Sequence, residues 1–490
     1  MTPGNAGMPT TEMSETVIPT TGIPERRGWG KSPLQSRCIN LFARARTTTP
    51  PLDDSMTVRV LATGDIHIGK RPTRVRDAAM EQRASTARMW EAIAQRAIDE
   101  EVDAVLLSGD VLEHDKIVYE AIGPLGRGFR ALAEAGIACY AVSGNHDWQV
   151  FPKLVDELDT PDFHLIGRGG KWEETYLERD GQKLLRIVGW SYPARIVPDS
   201  PLDTYDLAAN DGLPTVGLLH ADLNASGSKY APVALSELQR SDVTLWLLGH
   251  IHKPQHEVCE ARADVLYPGS PQALDPGESG VHGPWLLEFD GPQSVSCRQL
   301  PMSRVVYEEC EIDLSSAVEE EDFLSAINDT VNEQLSWANS LETPPELLSL
   351  RLTLVGATPL CSRINHLVES QGLRDLDSSI GDVQVSIDKV TNATRPAVNL
   401  EQLATQNDPA GTLARTLGIL ERDDNDKAVD ALISDAITRM STVRRASAYR
   451  ALPGDDEPDR TRARQLLLEQ GWQLLETLLA QKPSHEEVSA

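Results

Sequence analysis

Aspartate, histidine and asparagine recur at five points of this 490-residue chain, each time directly after an apolar run. The segments are Gly64-Asp65-Ile66-His67, Gly109-Asp110, Gly144-Asn145-His146-Asp147, His220 within Leu218-Leu219-His220-Ala221-Asp222, and Gly249-His250-Ile251-His252. Mixed nitrogen and oxygen donors suit Mn²⁺, Fe²⁺ or Zn²⁺ better than Ca²⁺ or Mg²⁺, which prefer oxygen alone. One cation does not need so many donors. Two cations sharing a bridging carboxylate would use them all. A single Gly-Asp or a lone histidine is ordinarily structural; five such segments in order, each ending a strand, are not an ordinary pattern. In four of them a glycine precedes the first polar residue, where it lets the chain turn sharply and lets the backbone approach an ion or a phosphate.

These residues need a scaffold that brings distant strand tips together. Apolar runs predict strands at Val58–Thr63, Ala104–Ser108, Ala138–Ser143, Leu184–Trp190, Thr215–Leu219, Val243–Leu248 and Trp285–Phe289, with helices over Val75–Glu100 and Ala121–Ala135 between some of them. Strand, helix and strand in alternation imply an α/β domain with parallel pairing, in which ligands gather at the carboxyl ends of the strands. This domain is expected over 56–300. Residues 301–398 mix strands and helix as a small α+β unit, with Leu348–Val355 and Val383–Val390 alternating as half-buried strands do. From 399 to 490 the pattern is helical, broken at Pro453–Pro458. Leu466, Leu467, Trp472, Leu475 and Leu478 give the last helix an apolar stripe, for core packing or for a partner. Residues 1–55 are rich in Thr, Pro, Gly and Arg without periodicity. They read as a disordered or targeting tail, or as the product of a start assigned ahead of Met56.

Composition narrows the class. The chain is 40% hydrophobic and carries no apolar run of about 18 residues, so no membrane span is expected. The N-terminus lacks the short apolar core of a secretion signal. Six scattered cysteines without a CxxC pair fit idle thiols in a reducing cytoplasm. The net charge of −28 argues against a broad nucleic-acid-binding face. It leaves room for a local basic patch, because phosphate contacts are short-ranged in salt. Lys70, Arg71, Arg74 and Arg76 are the densest basic cluster near the motifs, either a phosphate-gripping rim or a solvated helix entrance.

The series DxH, GD, GNHD, H and GHxH resembles the calcineurin-like metallophosphoesterases. Gly144-Asn145-His146-Asp147 and the later Tyr267-Pro268-Gly269-Ser270-Pro271 resemble the SbcD-type DNA repair exonucleases within that superfamily. The resemblance implies a double-sheet αββα sandwich, with the 301–398 unit as a cap. It implies a first metal on Asp65, His67, Asp110 and His252 and a second on Asp110, Asn145, His220 and His250, Mn²⁺ being the expected ion. His146 would then orient the phosphate and assist the leaving oxygen, and Asp147 would hold the His146 tautomer. DNA is the implied substrate, its phosphodiester bonds opened by water whose pKa the two metals lower. An SbcC-type SMC-like ATPase is the implied partner of the helical tail, with a homodimer and a nucleoid-associated cytoplasmic location.

One departure concerns the residues after Gly109-Asp110, where related nucleases carry a histidine or acid. Here the run is Val111-Leu112-Glu113-His114-Asp115, and His114 is either a substrate contact or an exposed loop residue. Tyr192 and Arg195 are candidate cleft residues, and Trp148 either stacks on a base or packs in the core. The acidic charge favours a rival reading, a phosphodiesterase or phosphatase for small molecules such as cyclic nucleotides. A non-catalytic scaffold would not keep every ligand.

Overall fold

The computed structural model describes residues 57–481 apart from 114–117, 159, 208–211, 226, 259–262, 374–376, 423–426 and 446–458. The N-terminal extension expected over 1–55, His114 and the break at Pro453–Pro458 lie outside the described residues. The strands of the first domain are, in chain order, β1 (Val58–Thr63), β2 (Ala104–Leu107), β3 (Ala138–Ala141), β4 (Phe163–Leu165), β5 (Glu173–Arg179), β6 (Gln182–Trp190), β7 (Thr215–His220), the short pair β8 (Asp222–Leu223) and β9 (Pro232–Val233), β10 (Leu245–Gly249), β11 (Gln255–Glu257), β12 (Asp264–Tyr267), β13 (Trp285–Gly291) and β14 (Ser294–Gln299).

Two six-stranded sheets result, ordered β14-β13-β1-β2-β3-β4 and β11-β12-β10-β7-β6-β5. β1 to β4 run parallel, as do β6, β7, β10 and β12; the outermost strands close each sheet antiparallel, save β4. Alternation along the strands explains the layers. Val60, Ala62, Leu106 and Tyr140 of one sheet meet Leu185, Ile187, Leu218 and Leu247 of the other. The opposite side chains of the first sheet, Leu61, Val105 and Leu107, pack under Trp90 and Ile93 of α2 (Thr86–Asp99) and Leu125 and Phe129 of α3 (Val118–Glu134). Each side chain so enclosed contributes about 1.5–3 kcal/mol of transfer free energy. The outer face of the second sheet buries Trp190, Leu219, Trp246 and Leu248 under Ala231, Val233 and Leu238, the last on a helix of only four residues, Leu235–Leu238. The double-sheet sandwich is therefore the expected one, with a thin fourth layer.

The helix expected over Val75–Glu100 is two, Ala78–Arg83 and α2, separated at Ala84 and Ser85. The break has a local cause. Ser85 is extended, and Thr86 puts its hydroxyl 2.9 Å from the carbonyl of His67 and 3.0 Å from that of Lys70 while accepting from Gly69 N–H. The first turn of α2 is thereby tied to the loop that follows β1.

Beyond β14, the strands Val305–Asp313, Leu347–Val355 and Val383–Asn392 pair in parallel, and Asp377–Ile380 closes that sheet antiparallel. The helix Glu320–Asn339 covers it through Phe323, Ile327, Val331 and Leu335. This layer meets the first domain at Met80, Ala84, Ala273, Tyr307 and Leu347. Arg74, from the basic cluster seen in the sequence, lies 3.6 Å from Asp388 of this layer, so that part of the cluster serves the contact between layers. The C-terminal helices Pro409–Arg422 and Arg460–Ala480 share a core of Ala414, Leu417, Trp472, Leu475 and Leu478. The apolar stripe of the last helix is mostly spent on its own neighbours. Leu474, outside that stripe, is 52% exposed.

Candidate metal centre

β1, β2 and β3 of one sheet and β7 and β10 of the other end at the same edge of the sandwich, and each delivers one of the five segments there. Backbone bonds lock the loops to one another: Asp65 N–H donates to Gly109 O, His67 N–H to Asp110 O, and Ala221 N–H to Gly249 O. Asp65, His67 and Asp110 adopt left-handed φ of 48°, 50° and 48°. Non-glycine residues rarely do so, and such outliers concentrate at functional sites. Two glycines are required by crowding between loops. A Cβ on Gly109, at φ 97°, would stand 2.7 Å from His220 Nδ1, and one on Gly249 would stand 2.1 Å from Ser108 O. The close approach that the sequence reading assigned to an ion or phosphate is at these positions an approach of protein to protein.

Three sets of donor atoms converge, each within 4.8 Å: Asp65, His67 and His252; Asp65, Asp110 and His220; and His67, Asp110 and His146. Asp65, His67, Asp110 and His220 are buried. His67 Nε2 and His252 Nε2 are 3.1 Å apart. Each ring's Nδ1 is already engaged by a carboxylate, at 2.7 Å from Glu113 Oε2 for His67 and 2.6 Å from Glu278 Oε1 for His252. An ionised carboxylate only accepts, so His252 Nδ1 donates to Glu278, while the Glu113 oxygen approaches His67 Nδ1 as an ion pair without hydrogen-bond alignment; with a proton on each Nδ1 and none on Nε2, the two rings turn lone pairs toward each other. Two lone pairs at that distance repel unless a proton or a metal cation lies between them. His220 repeats the arrangement. Its Nδ1 reaches Ser108 O at 3.1 Å, while its Nε2 faces Asn145 Oδ1 at 3.0 Å and Asp110 Oδ2 at 3.4 Å. The donor set thus fits divalent cations bound by imidazole, carboxylate and amide oxygen.

The electrostatics agree. Burial alone would raise Asp110, but the imidazoles of His220, His67 and His146 outweigh it and hold the carboxyl well below its usual range. Burial would lower His220, but the Asp110 carboxylate beside it lifts it to about 9. In the protein alone a proton answers the demand that a metal would answer. Burial holds His67 below its ordinary value, and burial with the nearby His220 takes His250 to about 3, so both rings offer free lone pairs at neutral pH. The His250 backbone N–H donates to both Asp65 oxygens, at 3.1 and 3.0 Å, which aims that carboxylate.

Two carboxylates escaped the sequence reading. Burial would raise Glu113, but His67 and Lys70 outweigh it and bring it to about 2; its Oε2 lies 2.7 Å from His67 Nδ1 and 2.8 Å from Lys70 Nζ. Its place three residues after Asp110 was the available signal, and attention to His114 missed it by one position. Glu278 holds His252 Nδ1 and also accepts from Ser270 Oγ at 2.9 Å and Leu274 N–H at 2.8 Å. No local spacing marks it, since it stands 26 residues beyond His252. The Tyr267-Pro268-Gly269-Ser270-Pro271 segment supports the same place, with Ser270 N–H donating to His252 O at 2.9 Å.

The expected partner of His146 is corrected. Asp147 accepts from the N–H groups of Gly144, Val111 and Leu112 at 2.8, 2.8 and 3.3 Å, clipping the third loop to the second. Burial and the Asp110 charge raise it to about 7. His146 Nδ1 faces Glu113 instead, 3.1 Å from its carbonyl and 3.5 Å from its carboxylate. Tyr192 is also corrected as a cleft residue, being 2% exposed with its ring edge against His220. Arg195 is exposed, Arg71 lies 3.8 Å from Glu81, and Trp148 packs partly buried against the outer core of the second sheet.

Known proteins match both parts of the chain. Residues 58–254 match the calcineurin-like phosphoesterase family, and 307–395 match the middle domain of the metallophosphoesterase YhaO. The chain is 29% identical over 268 residues to the uncharacterized metallophosphoesterase YhaO of Bacillus subtilis, covering 54% of this chain and 62% of that one. It is 27% identical over 231 residues to the DNA double-strand break repair protein Mre11 of Aeropyrum pernix, covering 44% and 54%, and 28% identical over 272 residues to Mre11 of Haloferax volcanii, covering 52% and 55%. The match thus spans little more than half the length of these relatives. Among the described residues no helix is long and apolar enough to cross a membrane. Taken with the strand-tip cluster of Asp, His and Asn, the match over 58–254 makes that part of the chain similar to the calcineurin-like phosphoesterases.

Proposed function

We propose that the protein is a two-metal phosphodiesterase that cleaves DNA. Asp65, His67, Asp110 and His252 would hold one cation and Asp110, Asn145, His220 and His250 the other, with Mn²⁺ the favoured ion and Fe²⁺ or Zn²⁺ the alternatives. The observation that carries this reading is the facing of His67 Nε2 and His252 Nε2 at 3.1 Å, with a carboxylate oxygen 2.7 Å from His67 Nδ1 and 2.6 Å from His252 Nδ1. When bound, such a cation pair supplies a water acidic enough to ionise near neutral pH and neutralises charge on the phosphate oxygens. The protein's part is to fix the donors. Glu113 and Glu278 orient two imidazoles, the His250 amide aims Asp65, and His146 borders the cluster where it can donate to the leaving oxygen. DNA as substrate rests on the similarity to the Mre11 proteins and on the basic residues beside the centre.

A substrate panel tests this. Excess chelator should abolish hydrolysis and Mn²⁺ restore it, on linear double-stranded DNA, on single-stranded DNA and on bis-p-nitrophenyl phosphate. Hydrolysis that persists in chelator would remove the metal reading. Cleavage of the small ester alone would move the assignment to small-molecule phosphodiesters, the class that the net charge of −28 favours.

The helical region from 399 onward is proposed as the dock for an SMC-like ATPase of the SbcC type. Full-length protein should capture that ATPase in a pull-down, and a version ending at Val398 should not. Equal capture by both would take the helices out of the interaction.

A further inference from the structure

A basic cavity lies beside the candidate metal centre. A cavity of about 210 Å³ opens between the loop after β1, the first turn of α2 and the middle of α3. Lys70, Arg71, Arg88 and Arg127 line it, and Glu91 is its acidic member. Glu91 takes Arg127 Nε at 2.8 Å and Arg88 Nη1 at 3.3 Å, so one carboxylate orients two guanidinium groups without neutralising both. Lys70 is paired with Glu113 and Arg71 lies 3.8 Å from Glu81, so with Glu91 the four cations meet three carboxylates and keep a local excess of one positive charge, in a chain of net charge −28. A local concentration of positive charge against so acidic a background calls for an explanation.

The cavity is joined to the centre through two contacts. Lys70 Nζ lies 2.8 Å from Glu113 Oε2, which lies 2.7 Å from His67 Nδ1. Thr86 ties the start of α2 to the carbonyls of His67 and Lys70, which fixes the cavity wall relative to the metal ligands. Ser85, the N-cap of α2, makes no side-chain capping bond, and although the Thr86 N–H donates to Lys70 O, the positive end of the helix adds to the cations. The guanidinium groups of Arg88 and Arg127 remain 65% and 58% exposed, as groups awaiting a solvent-borne anion would be.

We propose that this cavity is a phosphate subsite, taking a backbone phosphate of the polynucleotide next to the one held at the metal centre. The inference rests on the nuclease reading and deepens it. A monoester or a cyclic nucleotide has a single phosphorus at the reacting position and leaves the cavity empty; a polynucleotide fills both. Arg is suited to the task because its planar fork binds two phosphate oxygens at once. The subsite holds the strand in register with the metals, and the neighbouring phosphate positions without specifying sequence.

The double variant Arg88→Ala/Arg127→Ala in the full-length chain tests the proposal, with Mn²⁺ present. Loss of two charge-assisted contacts should lower kcat/KM on a single-stranded oligonucleotide by about tenfold or more. Hydrolysis of bis-p-nitrophenyl phosphate should stay within about twofold of wild type, which also shows that the variant folds and binds metal. Arg88→Lys/Arg127→Lys should recover part of the oligonucleotide activity. A double alanine variant that matches wild type on the oligonucleotide overturns the subsite while leaving the nuclease reading intact. Equal losses on both substrates overturn it as well, since the residues would then serve the centre or the fold. Wild-type protein that cleaves only the small ester overturns the nuclease reading itself.

Discussion

Replacing Asp110 with Asn is expected to cost more activity than any other single change in the protein, and to cost metal with it. Asp110 is buried among His67, His146 and His220. One oxygen lies 3.4 Å from His220 Nε2 and 3.8 Å from His67 Nε2, and the other accepts the His146 backbone N–H at 2.8 Å. It stands between the two sets of imidazoles. Loss of a residue that merely supports a ligand typically lowers metal affinity or activity by about 10–100-fold. Loss of a shared ligand should exceed that, with turnover falling by more than about 100-fold. Metal content measured on the purified variant should drop from two ions per chain to one or fewer. An Asp110→Asn variant that keeps two tightly bound ions would remove the bridging role. In the metal-free protein the imidazoles of His220, His67 and His146 more than offset the burial of the charged carboxylate, so the neutral amide also removes a favourable interaction and the thermal midpoint should fall.

His146→Ala is the second large effect and has the opposite signature. The His146 side chain is half-buried, borders His67 with ring centroids 4.9 Å apart, and is oriented by the Glu113 carbonyl. With Nδ1 donating to that carbonyl, Nε2 can donate to a substrate oxygen when the ring is the imidazolium. General acid assistance of this kind is worth about 10²–10⁴-fold. Turnover on DNA should therefore fall by about that factor while both metals stay bound. His146 also falls within one of the three donor clusters, so a direct ligand role is the competing outcome. Loss of an ion from His146→Ala, read by metal analysis, would establish it. A leaving group of low pKa offers a further check, since it needs less assistance. The defect should shrink on p-nitrophenyl esters relative to DNA, and an equal defect on both would speak against the departure role.

How much was legible without a structure depends on how local the cause was. β1 was bounded in the sequence as it stands in the fold, and the other strands that carry motifs came within two residues, because each is a short apolar run ended by a polar turn. Strands with weaker signatures went unread. β5 is polar and lies at a sheet edge, where burial selects few of its residues. The helix break before α2 was invisible because Thr86 interrupts the pattern to reach the carbonyls of His67 and Lys70.

The same division runs through the site. Ligand types, their order and their position at strand ends are properties of the chain, since a parallel sheet sends every such end to one edge. Which carboxylate orients which imidazole is a property of the fold. Glu113 rather than Asp147 faces His146 because Asp147 is spent on the amides of Gly144, Val111 and Leu112. Glu278 finds His252 across 26 residues only because the segment from Tyr267 to Ser270 doubles back on it. Net charge has the same limit: −28 is a sum over the chain, whereas a phosphate meets only the few charges within a Debye length, and packing decides which those are.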